Sequence, residues 1–282
     1  MPTALVTGAS TGIGRATALR LAADGWDVFA GVRKEKDGAA LTADGGERVR
    51  PVSLDVTDEA SIAAAAEQVR AFVGDRGLDG LVNNAGVAIG GPLEAVPLDS
   101  LRRQLEINVI GQVAVCQAFL AMVRAAKGRV VFTGSVGGQV ALPFVGPYAA
   151  SKHALAGIAF SLRREMRRFG VWVAIVEPGA VKTPIWDKGR ASADDLEAQL
   201  PPQWLETYGF ALTAARHTID HADSSAVPPE KVADAIVHAL TASRPKARYV
   251  IGSEAKRSVL MQRLLPVRAF DAAVARFMKL ND

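Results

Sequence analysis

Short apolar runs alternate with longer amphipathic stretches along most of the chain. Apolar runs of about four to eight residues are typical of buried strands, and an apolar period of about 3.6 residues is typical of helices. The alternation predicts an α/β fold, with a Rossmann-like doubly wound parallel sheet of about seven strands and helices on both faces. Strands are predicted at 3–7, 26–32, 48–54, 78–83, 128–134, 171–177 and 248–252, and helices at 12–24, 59–73, 98–126, 148–169, 229–243 and 256–280.

A glycine-rich segment joins the first predicted strand to the first predicted helix, and it reads Thr7-Gly8-Ala9-Ser10-Thr11-Gly12-Ile13-Gly14. Gly8 permits a tight turn, while Gly12 and Gly14 let the backbone approach a ligand and let the helix pack on the sheet. The N–H groups at the start of the helix favour an anion. A glycine-rich turn without a ligand is the alternative, but the strand-to-helix position favours a dinucleotide pyrophosphate site.

Tyr148 and Lys152 are four residues apart in a predicted helix, and Ser135 ends the strand-like run before them. Positions i and i+4 share a helix face, so the ammonium group is expected beside the phenol. A positive charge there lowers the pKa of a phenol from about 10 toward neutral pH, where it can donate or accept a proton. The Ser135 hydroxyl can bond a substrate oxygen. A surface tyrosine packed on a lysine stem is the alternative, so the neighbouring motifs decide.

Taken together, these motifs resemble those of the short-chain dehydrogenase/reductase family. The resemblance covers residues 3–183, and 184–282 carry no motif of the family. The matching residues, in the order typical of the family, are Thr7-Gly8-x-x-x-Gly12-x-Gly14, Asn83-Asn84-Ala85-Gly86, Asn108, the set of Ser135, Tyr148 and Lys152, and Pro178-Gly179.

The resemblance implies four catalytic residues, Ser135, Tyr148, Lys152 and Asn108. Tyr148 would donate and accept the proton, and Lys152 would lower its pKa and bind the nicotinamide ribose. Ser135 would hold the substrate oxygen, and Asn108 would hold a water of the proton relay at a bend in its helix. The expected cofactor-binding residues are Gly8, Ser10, Thr11, Gly12, Ile13, Gly14, Arg33, Lys34, Asp55, Val56, Asn83, Ala85, Gly86, Tyr148, Lys152, Pro178, Gly179, Val181 and Thr183.

The end of the second predicted strand bears on the choice of nicotinamide cofactor. An acid there would accept the ribose hydroxyls of NAD(H), but the sequence has Arg33 and Lys34, which can pair with a 2′-phosphate. Thr11 argues the other way, because many relatives that use NADP(H) have a basic residue at that position, although Arg15 could compensate. A solvated strand end is the alternative role for Arg33. NADP(H) is therefore favoured, with NAD(H) as the alternative.

The predicted alternation breaks at 184–228, a stretch with Trp186, Trp204, Tyr208 and Phe210. Long excursions of this kind tend to be lids or binding loops. The chain is thus expected to be a single dinucleotide-binding and catalytic domain over 1–282, with a substrate lid at 184–228 and a helical C-terminal extension at 254–282. The aromatic residues could equally serve only to pack the excursion onto the domain.

Charge is unevenly distributed in a chain whose net charge is only +4. Nine basic and two acidic residues lie between Arg244 and Lys279, so this segment carries +7 and the remainder carries −3. A solvated helix face would explain this, and the alternatives are peripheral contact with a membrane surface, an anionic substrate tail or a partner subunit. No nucleic-acid recognition motif accompanies the charge, so no nucleic-acid partner is expected.

Cys116 is the single cysteine, which excludes an internal disulfide, and its apolar neighbours predict a buried thiol. His217 and His221 are four residues apart without a third ligand, so no metal is predicted. Strand-forming residues begin at position 3, which argues against a signal peptide. No apolar run approaches the ~20 residues of a transmembrane helix. A cytoplasmic homodimer or homotetramer is expected.

The predicted function is that of an oxidoreductase. It would transfer a hydride between a nicotinamide cofactor and a ketone, aldehyde or secondary alcohol, and the aromatic excursion favours a bulky apolar substrate that is steroid-, retinoid- or acyl-like. A catalytically silent nicotinamide-binding regulator is one alternative, against which the complete catalytic set argues. A sugar-nucleotide epimerase or dehydratase is another, but its substrate domain does not fit easily into the roughly 100 residues after Gly179.

Overall fold

Seven parallel strands form one sheet in the computed structural model, which describes residues 1–184, 206–210, 213–214, 220 and 226–280. The strands are β1 Thr3–Val6, β2 Asp27–Val32, β3 Val49–Ser53, β4 Gly80–Asn83, β5 Arg129–Thr133, β6 Trp172–Pro178 and β7 Arg248–Ile251. Their order in the sheet is β3-β2-β1-β4-β5-β6-β7. The predicted doubly wound α/β fold is confirmed, and each predicted strand is present within about two residues at either end.

Nine α-helices have both of their ends within the described residues, and residues 206–210 are helical as well. They are α1 Gly12–Ala23, α2 Glu35–Gly45, α3 Glu59–Val73, α4 Leu98–Leu105, α5 Gly111–Ala125, α6 Gly146–Met166, α7 Pro229–Thr241, α8 Ser253–Leu264 and α9 Val267–Phe277. A π-helical turn, Glu106–Ile110, joins α4 to α5, so the predicted helix at 98–126 is continuous but irregular.

Two apolar layers cover the two faces of the sheet. Successive side chains of a strand point to opposite faces, and β1 shows this directly, because Leu5 packs in one layer while Ala4 and Val6 pack in the other. Residues of α3, α5 and α6 complete the first layer, and residues of α1, α2 and α7 complete the second. Each fully buried leucine or valine contributes about 1.5–3 kcal/mol to the free energy of unfolding. The two layers fix the sheet and thereby the positions of its strand ends.

The order of the strands determines where a ligand can bind. β1 lies between β2 and β4, and the connections run outward from it in both directions. In open parallel sheets a crevice forms at such a reversal, outside the carboxyl ends of the strands. The glycine-rich segment follows β1, the Asn83 motif ends β4, and Ser135 follows β5. The predicted motifs therefore lie along one edge of the sheet.

Two helical features differ from the sequence prediction. The helix α2 is not predicted at all. The predicted helix at 256–280 is instead two helices, α8 and α9, because Pro266 lacks an N–H and pushes Leu265 into an extended conformation. The chain between Ser253 and Phe277 is helical in two parts, and it changes direction at this proline.

The continuous helix Leu98–Ala125 is long and apolar enough to cross a membrane, judged by length and composition alone. It is the one such helix among the described residues, whereas the sequence analysis found no apolar run that approaches transmembrane length. Core helices of soluble proteins pass the same test, and 44% of the apolar window is buried inside this structure. Val115 and Phe119 on this helix pack in the core beside β4 and β5.

The excursion at 184–228 falls mostly outside the described residues. Its two flanks meet, because Val181 forms a bridge with Val227, and the Val227 N–H donates to the Ala180 carbonyl at 3.0 Å. Both flanks are therefore held at the carboxyl end of β6. The lid function of this segment stays a prediction.

Candidate active site

Ser135, Tyr148 and Lys152 come together at the carboxyl end of β5. Ser135 follows the strand, while Tyr148 and Lys152 lie in the first two turns of α6. The Tyr148 hydroxyl is hydrogen-bonded to Ser135. The Lys152 ammonium lies 5.8 Å from the centroid of the Tyr148 ring and donates to the Thr133 carbonyl at 2.9 Å. The predicted i,i+4 arrangement thus places a cation beside a phenol whose hydroxyl contacts a second polar group.

The short turn after Ser135 keeps these groups close. The Gly137 N–H donates to the Ser135 hydroxyl oxygen at 3.1 Å. A Cβ at Gly137 would lie 3.3 Å from Cε1 of Tyr148 and 3.4 Å from Oγ of Ser135. A side chain at this position would crowd the two reactive groups, so glycine leaves the space between them open.

Burial acts in opposite directions on the two titratable groups. It raises the pKa of the Tyr148 phenol above its ordinary value, while the Ser135 hydrogen bond lowers it by less. It also lowers the pKa of the Lys152 ammonium to about 8. The sequence analysis predicted a lowered pKa for Tyr148, but in the protein alone the loss of hydration outweighs the nearby cation. The phenol is therefore neutral at pH 7 and able to donate a proton.

Replacement of Lys152 by methionine should expose the cost of burying this charge. The pKa of Lys152 is about 8 in the folded protein against 10.5 ordinarily, so the unfolded chain binds more protons between these values. The penalty is complete below pH 8 and disappears as the pH rises through this range. As the pH rises from about 8 to 10.5, the free energy of unfolding of the wild type should therefore increase by up to about 3 kcal/mol relative to that of Lys152→Met.

Urea denaturation of both proteins across this pH range, without nicotinamide, measures the difference. Cys116, whose thiol also titrates in this range in the unfolded chain, is present in both proteins and cancels. A difference in the free energy of unfolding that does not change with pH would contradict the assigned pKa of Lys152.

Asn108 lies in the π-helical turn, which is the irregularity expected at this position. Its side-chain oxygen accepts from the Val87 N–H at 2.9 Å, and its amide donates to the Val87 carbonyl at 2.9 Å and to Ser151 Oγ at 3.1 Å. Ser151 in turn donates to the Tyr148 carbonyl at 2.7 Å. Asn108 therefore connects the loop after β4 to the helix that carries Tyr148. Ser151 was not predicted, because a serine inside a helix has no distinguishing pattern.

The glycine-rich segment fits a dinucleotide phosphate. Gly8 and Gly12 have φ angles of +63° and +56°, which favour glycine. Thr11 precedes α1, and its side chain makes no hydrogen bond to the helix, so the first N–H groups of α1 are left for a ligand. A Cβ at Gly12 would lie 2.9 Å from Cγ2 of Thr183, so the segment also meets the chain after β6. Ser10 and Ile13 lie in the same turn.

Thr7 and Asn84 hold this segment against the end of β4, and neither was among the predicted site residues. The Thr7 hydroxyl oxygen accepts from the N–H groups of Asn84 at 2.9 Å and Ala85 at 3.0 Å. The Asn84 amide donates to the Thr7 carbonyl at 3.0 Å. Asn83 instead directs its side chain into the core, where it donates to Cys116 Sγ at 3.0 Å. The predicted cofactor contact of Asn83 therefore does not use its side-chain amide in this structure.

Arg33, Lys34, Asp55 and Val56 lie at the ends of β2 and β3. Asp55 accepts from the N–H and the hydroxyl of Thr57 at 3.0 and 2.8 Å. These bonds lower its pKa, and the nearby Arg33 adds to the effect while partial burial opposes it. The carboxylate and the cation of Arg33 thus flank the place where the adenosine half is expected.

Arg15 is engaged at a different place. It forms an ion pair with Asp44 of α2. Arg15 is therefore not free to replace the basic residue that many NADP(H)-using relatives have at the position of Thr11. Arg33 and Lys34, which are exposed, remain as the basic residues at the end of β2.

Pro178 ends β6, and Gly179, Val181 and Thr183 follow it, opposite the glycine-rich segment. The Gly179 N–H donates to the Ile251 carbonyl at 2.9 Å, which fixes this turn against β7. On the other side of the site, a Cβ at Gly86 would lie 3.3 Å from Oδ1 of Asn108 and 3.8 Å from Nζ of Lys152. The residues predicted for the nicotinamide half therefore surround the catalytic groups.

A buried carboxylate anchors the segment that follows Ser135. Glu177 is fully buried beside Pro178, and its pKa is raised by burial. Gln139 donates to it, and Arg248 Nε lies 3.2 Å from its oxygen. Gln139 also accepts from Arg248 and Arg263, each at 3.0 Å. These contacts tie the Ser135 segment to β6, β7 and α8. Among the described residues, no group of three metal-binding side chains is found.

Comparison with known proteins identifies the family. The family model for short chain dehydrogenases matches residues 2–194. The chain belongs to the short chain dehydrogenase family. An NADPH-dependent 3-dehydrocapnine reductase from Ornithobacterium rhinotracheale is 35% identical over 281 residues, covering 98% of this chain and 97% of the relative. Retinol dehydrogenase 5 of Mus musculus is 37% identical, covering 95% of this chain and 86% of the relative.

A solved structure agrees with the fold of the family. A short chain dehydrogenase from Burkholderia cenocepacia, in complex with NADP, has a TM-score of 0.74 at 25% identity and covers 97% of both chains. The chain described in this structure is therefore a nicotinamide-dependent oxidoreductase that acts on CH–OH groups and their carbonyl counterparts. The reading as a catalytically silent regulator is set aside.

Proposed function

We propose that this protein interconverts a bulky apolar ketone or aldehyde and the corresponding alcohol with NADP(H) as its cofactor. The observation that carries the proposal is the contact of the Tyr148 hydroxyl with Ser135, with the Lys152 ammonium beside the same ring. One proton donor, one hydrogen-bonding hydroxyl and one cation suffice for the acid–base half of carbonyl reduction.

The protein groups have separate tasks in this reaction. Bound nicotinamide supplies or accepts the hydride. Ser135 bonds the substrate oxygen and fixes it within reach of Tyr148, which donates its proton as the oxygen gains negative charge. The Lys152 cation then stabilises the phenolate by attraction across the ring. In the direction of oxidation, the phenolate form of Tyr148, stabilised by the Lys152 cation, takes up the alcohol proton instead.

The charges at the end of β2 support NADP(H) over NAD(H). Arg33 and Lys34 stand where an acid would bind the adenosine ribose hydroxyls, and both are exposed. Two of the similar proteins are named for NADPH or NADP. An arginine can bind a phosphate through two charge-assisted hydrogen bonds, which NAD(H) cannot form.

Arg33→Ala should weaken NADPH binding by about tenfold or more, because a well-formed charge-assisted hydrogen bond contributes about 1.5–3 kcal/mol. NADH binding should change little. Fluorescence titration of each cofactor measures both dissociation constants, and Arg33→Lys is the matched control that keeps the charge. If alanine weakens the two cofactors equally, Arg33 does not bind the 2′-phosphate.

Apolar side chains near the start of α6 support a bulky apolar substrate. The rings of Phe144 and Phe210 lie 6.1 Å apart in an edge-to-face arrangement, and Leu93 is 71% exposed nearby. A Cβ at Gly146 would lie 3.8 Å from Leu93 Cδ1, so these residues lie close to the turn that carries Tyr148. Phe144 has a φ of +65°, an uncommon conformation for a non-glycine residue that is concentrated at functional sites. One relative is named for retinol, which is itself an apolar alcohol.

A screen of NADPH and NADH oxidation against ketones and aldehydes of increasing apolar size tests the proposal. We expect turnover with NADPH, and kcat/KM should rise as the substrate gains apolar area, about tenfold for each 1.4 kcal/mol of added binding in the transition state. Binding of NADPH with no oxidation for any carbonyl would contradict the proposal. So would a preference for small polar substrates.

A homodimer or homotetramer is our proposal for the assembly. The helix that contains Asn108 supports it, because Ile110, the last residue of the π-helical turn, is 54% exposed and available for a subunit contact. Size-exclusion chromatography with light scattering measures the mass in solution. A cytoplasmic location and the absence of a nucleic-acid partner stay predictions from the sequence.

A further inference from the structure

The two last helices expose a continuous apolar surface. We name the unit formed by α8 and α9 the C-terminal helix pair. Leu264 and Val267, on either side of Pro266, are 72% and 74% exposed, and Leu260 is 57% exposed. Met261 and Leu265 are also exposed, so five large apolar residues lie within eight positions. We call them the apolar tip.

The apolar tip is one surface rather than a set of scattered residues. Leu260 and Leu264 are four residues apart in α8, so they share a helix face, and Met261 lies beside them. The inner side of the helix pair is occupied differently, because Val259 and Phe270 pack on Val140 in a small core cluster. A contiguous exposed apolar patch rimmed by polar groups marks an interaction site.

Basic residues surround this surface. The helix pair and its last turn contain Lys256, Arg257, Arg263, Arg268, Arg276 and Lys279 against two acids, Glu254 and Asp271. Arg257 is one helical turn before Met261 in α8, and Arg268 follows Val267 at the start of α9, so basic residues lie on both sides of the apolar tip in the sequence. An apolar centre with a basic border is complementary to a surface that has an anionic layer over an apolar interior.

We propose that the C-terminal helix pair docks on an anionic lipid bilayer, with the apolar tip inserted between the headgroups and the arginines paired with lipid phosphates and carboxylates. Amphipathic helices with this pattern bind in the plane of the interface. A second copy of the chain fits less well, because a two-fold contact would bring the same basic border against itself. A nucleic acid would leave the apolar tip without a partner.

The position of the helix pair gives this contact a function. Val136, the residue after Ser135, and Leu142 pack against the core cluster of the helix pair, and Arg263 bonds Gln139 in the same segment. A docked bilayer would therefore lie against the unit that supports the catalytic segment. This part of the inference rests on the proposed function, since an apolar substrate partitions into the bilayer. The docking itself does not require turnover.

Vesicle flotation with the full-length protein tests the docking. The probes are phosphatidylcholine vesicles and vesicles that also contain about 30% phosphatidylserine, at about 0.1 M salt. Each basic side chain near the anionic surface strengthens binding about fivefold, so we expect at least tenfold stronger binding to the phosphatidylserine vesicles. Raising the salt to about 0.5 M should reduce it.

The double variant Leu264→Ser/Val267→Ser should bind these vesicles about tenfold more weakly or worse, because it removes apolar area from the tip. Phe169→Ser is the matched control, since Phe169 is also an exposed apolar residue but precedes β6, at the opposite end of the sheet from the site. It should bind as the wild type does. Both variants should retain turnover of a small water-soluble carbonyl.

The proposal is overturned if the wild type fails to float with phosphatidylserine vesicles, or if the two variants bind equally. It is also overturned if the tip variant changes the mass in solution while the wild type shows no vesicle binding, because the surface would then be a subunit contact. Vesicle binding without any carbonyl turnover would leave the docking in place and contradict only the proposed function.

Discussion

Replacing Tyr148 by phenylalanine should lower turnover by about 10²–10⁴-fold, the usual cost of losing a general acid. NADPH binding should remain largely intact, because the ring stays in place beside Lys152 and only the hydroxyl that bonds Ser135 is lost. Single-turnover reduction of the best carbonyl measures the chemical step, and fluorescence titration measures cofactor affinity. Turnover close to that of the wild type would rule out Tyr148 as the proton donor.

Tyr249→Phe provides the control for this experiment. The Tyr249 hydroxyl is also engaged, since it lies 3.0 Å from Nδ1 of His238 and accepts from the Lys246 N–H at 2.9 Å. It belongs to β7 and the second apolar layer, away from Ser135. This variant should lose some stability, about 1 kcal/mol for a hydrogen bond, but keep its turnover. The comparison separates loss of a proton donor from loss of any bonded tyrosine hydroxyl.

Gly14→Ala should disable the cofactor site by a purely steric route. A Cβ at Gly14 would lie 2.5 Å from the Asn84 amide nitrogen and still closer to the Gly8 carbonyl, and neither the backbone nor this hydrogen-bonded amide can move freely. Overpacking of this kind costs about 1–3 kcal/mol of stability. Binding of NADPH should weaken by at least tenfold, because the first turn of α1 would be displaced from the segment that receives the phosphate.

Gly157→Ala is the matched substitution, because Gly157 lies inside α6 and a Cβ there meets nothing within 4 Å. It should stabilise the protein by about 0.5–1 kcal/mol through helix propensity and leave NADPH binding unchanged. Thermal unfolding and cofactor titration of both variants check the pair. Equal changes in stability for the two glycines would show that the contact of Gly14 with Asn84 has no energetic weight.

Helix α2 shows where periodicity fails as a predictor. The sequence Glu35–Gly45 contains two glycines and one large buried apolar residue, Leu41, so it has little helical pattern. Close packing explains the glycine at position 38, because a Cβ there would lie 2.7 Å from Cβ of Pro51 on β3. The helix packs so closely on the sheet that it needs a residue that disfavours helices. Tertiary packing overrides local propensity at this position.

The strands and the catalytic set were predictable for a different reason. Each strand is a short apolar run bounded by polar or glycine residues, and Ser135, Tyr148 and Lys152 lie at strand ends or one helical turn apart. Side chains that act through long-range contacts were not predictable. The bonds of Thr7 to the β4 end and of Ser151 to Asn108 join residues far apart in the chain. The break between α8 and α9 has a local signal, because Pro266 cannot continue a helix.

The lone thiol has a consequence for how the enzyme responds to its surroundings. Cys116 is buried, accepts a hydrogen bond from Asn83, and burial raises its pKa to about 12. The reactive thiolate is therefore scarce at neutral pH, and the chain contains no second sulfhydryl with which a disulfide could form. Thiol-directed oxidants and glutathione should leave Cys116 unmodified. Activity should therefore not depend on the thiol redox state of the surroundings, and assays should need no added thiol reductant.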